Sequence, residues 1–191
     1  MMRIFLVGFM GSGKTTLGRA LARDLHLEFI DMDNYIEGRF RKTVSELFAE
    51  RGEAGFRQLE CNILHEVAEF EDVIVATGGG TPCHFDNMDY MNSHGITVHL
   101  EVSPEVLFTR LTISHTQRPL LAGKSGDDLK KYIADMLEAR APFYTLAQCS
   151  FCADELEDRT QVAKSVARFR KEILDLQDEQ PLTDSHTKEN L

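Results

Sequence analysis

The chain has 191 residues, 42% of them hydrophobic, which is enough for one globular domain with a single core. Its 31 acidic and 21 basic residues give a formal net charge of −10 at pH 7. This charge opposes the phosphate attraction on which nucleic-acid binders depend, so we expect no nucleic-acid partner. An anionic substrate must then be bound by a few locally placed arginines, because the overall field of the protein repels it.

The sequence shows no apolar stretch of membrane-spanning length and no secretory leader, because residues 1–8 run directly into a short strand pattern. We therefore expect no membrane association. Four cysteines in a chain of this length do not form a disulfide framework, and their surroundings are typical of reduced interior positions. These features predict a cytoplasmic protein.

Short apolar runs alternate with segments of helical period along the chain. The predicted strands cover residues 3–7, 28–31, 72–76, 97–101 and 149–153. The predicted helices include 13–25, 34–40, 44–51, 53–70, 129–143 and 160–176. This alternation is typical of a three-layer α/β protein, with a five-stranded parallel sheet covered by helices on both faces.

Three segments depart from simple alternation. The crossover between the second and third strands, about 33–70, is unusually long and is expected to build a substrate site. Residues 114–128 place a proline and two glycines between two helical patterns, which predicts a mobile lid. Residues 177–191 are polar without apolar period, so they are predicted to be a disordered acidic tail behind a single domain, 1–176.

A phosphate-binding motif lies between the first strand and the first helix. It matches G-x-x-x-x-G-K-[ST] as Gly8-Phe9-Met10-Gly11-Ser12-Gly13-Lys14-Thr15. Backbone N–H groups of such a loop surround phosphates, the lysine reaches the β and γ oxygens, and the threonine ligates Mg²⁺. This context disfavours an ordinary glycine-rich turn. We predict Mg²⁺ as cofactor and ATP as co-substrate, with ATP contacts from Gly11, Ser12, Gly13, Lys14, Thr15 and Thr16.

The second strand ends in Asp31-Met32-Asp33, which places two carboxylates at the carboxyl edge of the sheet, where ligands bind in open α/β folds. The third strand is followed by Thr77 and lacks the aspartate that usually serves the magnesium shell. We predict that Thr15 ligates Mg²⁺ directly and that Asp31 holds it through water. A polar strand end followed by a helix cap is the alternative.

Together with this loop, five further motifs resemble the shikimate kinase family, in the family's order. They are Asp31-x-Asp33, Phe56-Arg57-x-x-Glu60, Gly78-Gly79-Gly80, Arg118-Pro119-Leu120-Leu121 and Arg140-x-Pro142-x-Tyr144. The P-loop is shared by many unrelated activities, whereas the other motifs in combination are specific to this family. The resemblance implies a P-loop kinase, active as a monomer, that transfers the ATP γ-phosphate to the 3-hydroxyl of shikimate in chorismate and aromatic amino acid biosynthesis.

The resemblance also implies the substrate-binding residues Asp33, Arg57, Gly79, Gly80 and Arg140. Arg57 and Arg140 would each bind the carboxylate through paired N–H donors, which lysine cannot reproduce. The alternative is a surface ion pair, which is the commoner role of an isolated arginine. Asp33 would align or deprotonate the attacking hydroxyl, and Gly79 would let the ring approach the backbone. Glu60, one helical turn from Arg57, would orient its guanidinium.

In the predicted lid, Arg118 would reach the transferring phosphoryl group on closure and act as an ATP ligand. The predicted catalytic residues are therefore Lys14, Asp33 and Arg118. Arg110 either borders the adenine or lies on a solvated helix face. The adenine loop of the family would correspond to about 154–160, which is acidic and matches only loosely, so its contacts are unassigned.

Cys149 and Cys152 have redox-motif spacing but lie on a predicted strand where they point to opposite faces, so they are interpreted as structural. Cys61 and His65 share a helix face without a second ligand pair, which disfavours a metal site. A gluconate or nucleoside monophosphate kinase would share the P-loop and a lid, and a nucleotide-sensing switch protein would share the P-loop. The combined acceptor motifs, and the lack of an Asn-Lys-x-Asp guanine motif, argue against these alternatives.

Overall fold

The structure, a computed structural model, describes residues 2–113 and 125–174. Its strands are β1 Arg3–Val7, β2 Glu28–Asp31, β3 Val73–Ala76, β4 Ile96–Glu101 and β5 Cys149–Cys152. They form one parallel sheet in the order β2-β3-β1-β4-β5. The predicted five-stranded parallel sheet is confirmed, and each strand boundary lies within one residue of its predicted position.

Helices cover both faces of the sheet. They are α1 Lys14–Leu25, α2 Met32–Phe40, α3 Val44–Ala68, α4 Asn87–His94, α5 Pro104–Ile113, α6 Gly126–Tyr144 and α7 Arg159–Phe169. A 3₁₀ turn covers Thr81–Cys83, and a π-helical segment, Arg170–Leu174, follows α7. None of the helices in the two described ranges is both long and apolar enough to cross a membrane.

Alternation along β1 divides its side chains between two cores. Phe5 and Val7 pack with residues of α2, α3 and α4, whereas Ile4 and Leu6 pack with residues of α1 and α7. All four side chains are fully buried, as expected for a central strand with both faces covered. A third cluster joins α5 and α6 to the loop after β1 through Phe9, Leu107, Leu111, Leu129, Ile133 and Tyr144.

The strand register brings the candidate site residues to one edge of the sheet. Leu6 of β1 and Asp31 of β2 both pair with Ala76 at the end of β3. The chain therefore leaves β1, β2 and β3 at the same level, toward Gly8, Met32 and Thr77. This is the carboxyl edge, where open α/β sheets bind their ligands.

Candidate active site

A pocket of about 360 Å³ lies at this edge, against the P-loop. Most of the predicted ATP-site residues line it, namely Gly11, Gly13, Lys14, Thr15 and Thr16. Ser12 is only 1% exposed and is not part of the lining. Gly13, immediately before α1, has φ +93°, and a Cβ there would collide with the side chain of Leu156. Only glycine fits this position without strain.

The Lys14 ammonium group lies over the loop itself. Its Nζ donates to the carbonyl oxygens of Gly8 at 2.7 Å and Phe9 at 2.9 Å, and lies 3.4 Å from Ser12 Oγ. Lys14 also lines the pocket, beside the N-terminus of α1. A cation and the N–H groups of a helix N-terminus are thus presented together, which is an arrangement that binds phosphate.

Thr15 and Asp31 lie together at the same pocket. Thr15 Oγ1 donates to Asp31 Oδ2 at 2.7 Å, and Asp31 Oδ1 accepts from the backbone N–H of Asn34 at 3.3 Å. The helix cap considered as the alternative is therefore present, but it uses only one carboxylate oxygen. Two hard oxygen atoms beside a phosphate loop suit Mg²⁺, which takes few protein ligands in nucleotide sites.

A second pocket, of about 160 Å³, adjoins the first. All the predicted acceptor residues line it, namely Asp33, Arg57, Gly79, Gly80 and Arg140. Asp33 and Gly79 line both pockets, so the two pockets meet at these residues. The apolar side of the second pocket includes Val44 and Phe48 of α3, which the sequence did not assign to the site. Their apolar character is shared by many core residues, so composition alone does not mark them.

Arg57 is held by Glu60, one helical turn further along α3. Arg57 Nη1 donates to Glu60 Oε2 at 2.7 Å, which confirms the predicted contact. Glu60 is 2% exposed, and its other oxygen, Oε1, accepts from Thr81 Oγ1 at 2.6 Å. The buried Nε of Arg57 has no hydrogen-bond partner among the described residues. The Glu53 carboxylate lies 4.0 Å from this nitrogen, beyond hydrogen-bond distance. A buried donor without a partner is uncommon, and a functional role is one of its explanations.

The triple glycine makes room for these charged side chains. A Cβ at Gly80 would lie 2.8 Å from both terminal nitrogens of Arg57, and a Cβ at Gly78 would collide with Glu60 Oε1. The prediction assigned the missing side chain at Gly79 to the approach of a ligand ring, and a Cβ there would lie 3.3 Å from the backbone nitrogen of Met10 and 3.4 Å from Arg140 Nη1. At Gly78 and Gly80, the absent side chains admit the protein's own carboxylate and guanidinium.

Arg140 and Tyr144 of α6 hold the middle glycine. Arg140 Nη1 and Tyr144 Oη donate to the carbonyl of Gly79 at 3.0 and 2.7 Å. The Arg140 guanidinium also lies over the ring of Phe9 in the P-loop, 5.5 Å from its centroid. Burial raises the pKa of Tyr144 to about 12, so its hydroxyl remains a donor throughout the neutral range.

His99 of β4 packs against the side chain of Tyr144. Its ring stacks on Tyr144 with centroids 4.9 Å apart. Burial lowers the pKa of His99, and the nearby Lys14 charge lowers it further, while Glu101 has the opposite effect. Burial thus favours the neutral form of the His99 imidazole.

Arg110 of α5 joins the P-loop to the segment after β5. Its guanidinium donates, over 2.8 to 3.3 Å, to the carboxylate of Glu157 and to the backbone carbonyls of Gly11, Ala153 and Asp154. The side chain is 12% exposed, so it does not lie on a solvated helix face. Arg110, Leu156 and Glu157 all line the first pocket, which gives part of the unassigned segment 154–160 a place in the site.

Two predictions fall on parts of the chain that the structure does not describe. Arg118, with residues 114–124 of the predicted lid, lies outside the described residues, as does the predicted tail 177–191. Residues 126–128, which the lid prediction included, form the first turn of α6. The role of Arg118 and the single-domain boundary at 176 stay predictions.

The fold and the site together define a P-loop kinase. A family model described as shikimate kinase matches residues 10–171. The shikimate kinase of Bacteroides fragilis is 63% identical over 171 residues, which cover 90% of this chain and 96% of that protein. The chain belongs to the shikimate kinase family.

Solved structures agree with this assignment. The shikimate kinase from Bacteroides thetaiotaomicron is 62% identical, with a TM-score of 0.87 over 89% of this chain and 97% of that one. The shikimate kinase from Acinetobacter baumannii, in complex with shikimate, is 31% identical, with a TM-score of 0.79 over 94% of this chain and 96% of that one.

Proposed function

We propose that this chain transfers the γ-phosphoryl group of ATP to the 3-hydroxyl of shikimate, giving shikimate 3-phosphate and ADP. The observation that carries the proposal is the meeting of two pockets at Asp33 and Gly79. One pocket is built from a P-loop, and the other contains two arginines from different helices. A nucleotide and a small carboxylic acid held in these pockets would have their reacting groups next to each other.

The second pocket, which we call the acceptor pocket, offers the groups that a cyclic, hydroxylated carboxylic acid requires for binding. Arg57 and Arg140 are both largely buried, and their planar donors suit a carboxylate. Phe48 and Phe56 line the same pocket and can cover the carbon skeleton of the ring. Asp33 supplies an acceptor for hydroxyl groups at the junction with the nucleotide pocket.

In the transfer step, the oxygen of the 3-hydroxyl forms a bond to the γ-phosphorus. The bond from that phosphorus to the β–γ bridging oxygen breaks, and its electron pair leaves with ADP. The hydroxyl proton passes to the carboxylate of Asp33. Lys14 stabilises the negative charge on the phosphates, and Arg118, assigned by family resemblance, would add a second positive charge.

Thr15 would hold Mg²⁺ directly and Asp31 would hold it through water, as their paired oxygens suggest. The ion would neutralise charge on the β and γ phosphates. By the same family resemblance, we propose that the enzyme acts as a monomer. We also propose a cytoplasmic location, which the four free cysteines support.

A coupled assay for ADP release tests the proposal. The purified chain is given MgATP with shikimate, gluconate or a nucleoside monophosphate, and one reaction contains no acceptor. We expect ADP release above the no-acceptor background only with shikimate. Background-level release with shikimate, or faster release with another acceptor, would overturn the assignment of the acceptor.

A further inference from the structure

The buried carboxylate of Glu60 contacts two different partners through its two oxygens. Oε2 accepts from Arg57, and Oε1 accepts from the hydroxyl of Thr81. We propose that Thr81 is a positioning residue for the acceptor pocket, because its hydroxyl occupies one oxygen of Glu60 and leaves Arg57 bound to the other oxygen alone. The inference rests on the proposed function.

The backbone around Thr81 is held in place. Thr81 opens the 3₁₀ turn that follows the triple glycine, and its backbone N–H donates to Gly78 O at 3.1 Å. Asn87 Nδ2 donates to the carbonyl of Thr81 at 2.8 Å. Thr81 and Asn87 are both 0% exposed. The hydroxyl of Thr81 is therefore bound to Glu60 and is not exposed to bulk solvent.

The chemistry of the pair explains why the second oxygen matters. Carboxylates and guanidinium groups prefer two parallel hydrogen bonds when both oxygens are available. If Oε1 lost its donor, a buried acceptor would remain without a partner, which is costly. The guanidinium of Arg57, already bound to Oε2, carries further N–H groups that could turn toward Oε1. If the guanidinium turned to donate to Oε1, it would lose its present orientation. In that orientation its Nε–H has no hydrogen-bond partner among the described residues and is available to a ligand.

Thr81→Val tests the proposal because valine has the same shape without the hydroxyl. We expect KM for shikimate to rise about tenfold, equivalent to about 1.4 kcal/mol, while KM for ATP is unchanged. Thr81→Ser keeps the donor and should restore KM for shikimate. A residue that served folding alone would not produce this separation between the two substrates or this rescue.

Thr97→Val is the matched control. Thr97 is also 0% exposed, and its hydroxyl donates to Asn92 Oδ1, but it lies near the amino end of β4, away from the ligand edge. Thr97→Val should lower stability to urea while leaving both KM values unchanged. If Thr81→Val does not fold, Thr81→Ala removes the same donor with less crowding and carries the same expectation.

The outcomes separate the inference from the proposed function. If the wild-type chain does not phosphorylate shikimate, the proposed function fails. If the wild type is active and a folded Val or Ala variant at position 81 keeps its KM for shikimate, the proposed function survives and the positioning role is wrong. An equal rise in KM for both substrates would also overturn the positioning role.

Discussion

Lys14 belongs to none of the hydrophobic clusters, so its charge can be removed without disturbing a core. Its ammonium bonds to the carbonyls of Gly8 and Phe9. We expect Lys14→Ala to keep the folded state and to lose more than tenfold in kcat, because a lost transition-state contact of about 1.4 kcal/mol already costs that much. Steady-state kinetics and urea unfolding measure the two effects. Lys164→Ala serves as the control, because Lys164 is exposed on α7. A Lys14→Ala variant that keeps more than a tenth of wild-type kcat would refute the role of Lys14 in stabilising the phosphates.

The two arginines of the acceptor pocket should respond alike to loss of their planar group. Arg57→Lys and Arg140→Lys each keep the charge but lose the fork of donors. We expect KM for shikimate to rise in both variants while KM for ATP changes little. If the arginines only form structural ion pairs, kinetics with each substrate varied in turn would show both KM values unchanged.

Substitution of Asp33 should affect kcat more than KM, in contrast to the two arginines. Asp33→Asn keeps the size of the side chain and some hydrogen bonding but removes the base. We therefore expect the main loss in kcat, with KM for shikimate affected less. Full wild-type kcat in Asp33→Asn would show that this carboxylate neither deprotonates nor aligns the hydroxyl.

At the scale of elements, the turn after β3 is shaped by side chains from α3. A Cβ at Gly80 would lie 2.8 Å from the guanidinium nitrogens of Arg57, which must then move. We expect Gly80→Ala to raise KM for shikimate more than KM for ATP. Gly38→Ala in α2 is the control, because a Cβ there meets nothing within 4 Å and alanine favours a helix by up to about 1 kcal/mol. A Gly80 variant with wild-type kinetics would contradict this account.

The helices show where local patterns suffice and where they fail. The separately predicted helices 44–51 and 53–70 correspond to α3, which is kinked at Gly52, with φ 66° and ψ 176°. This backbone conformation is essentially restricted to glycine, so the sequence marks the interruption.

Helix α4 was not among the predicted helices because its sequence, NMDYMNSH, is rich in residues that favour caps and turns. It is stabilised by burial of Met88 and Met91.

At the scale of the whole molecule, burial of His99 links stability to pH. The pKa of His99 is lowered from its ordinary value of 6.5, so below that value the unfolded chain binds more protons at this site than the folded chain. The stabilisation is complete above pH 6.5 and is lost as the pH falls through the folded-state pKa. We expect the stability difference between wild type and His99→Gln, measured by urea unfolding, to shrink from pH 7.5 toward pH 5.5. A constant difference would mean that protonation of His99 does not contribute.

The sequence by itself determined the sheet and the P-loop and predicted the aspartate, arginines and glycines that line the second pocket, though not Val44 and Phe48, because these features depend on short-range patterns. Strand alternation, the glycine spacing before Lys14 and the family motifs are all read within a few residues. The parallel sheet then brings the ends of β1, β2 and β3 to one edge.

Only the tertiary structure decided how the charged side chains are shared between distant segments. Arg110 bonds to residues 43 to 99 positions away, and Thr81 lies 21 positions from Glu60. The periodicity of the sequence does not predict such pairs. The residues that flank an arginine, a threonine or a glutamate do not indicate which distant residue it will bond to. The partners are selected by packing of α3, α5 and the turn after β3, where a buried charge must find a donor or acceptor or its burial becomes unfavourable.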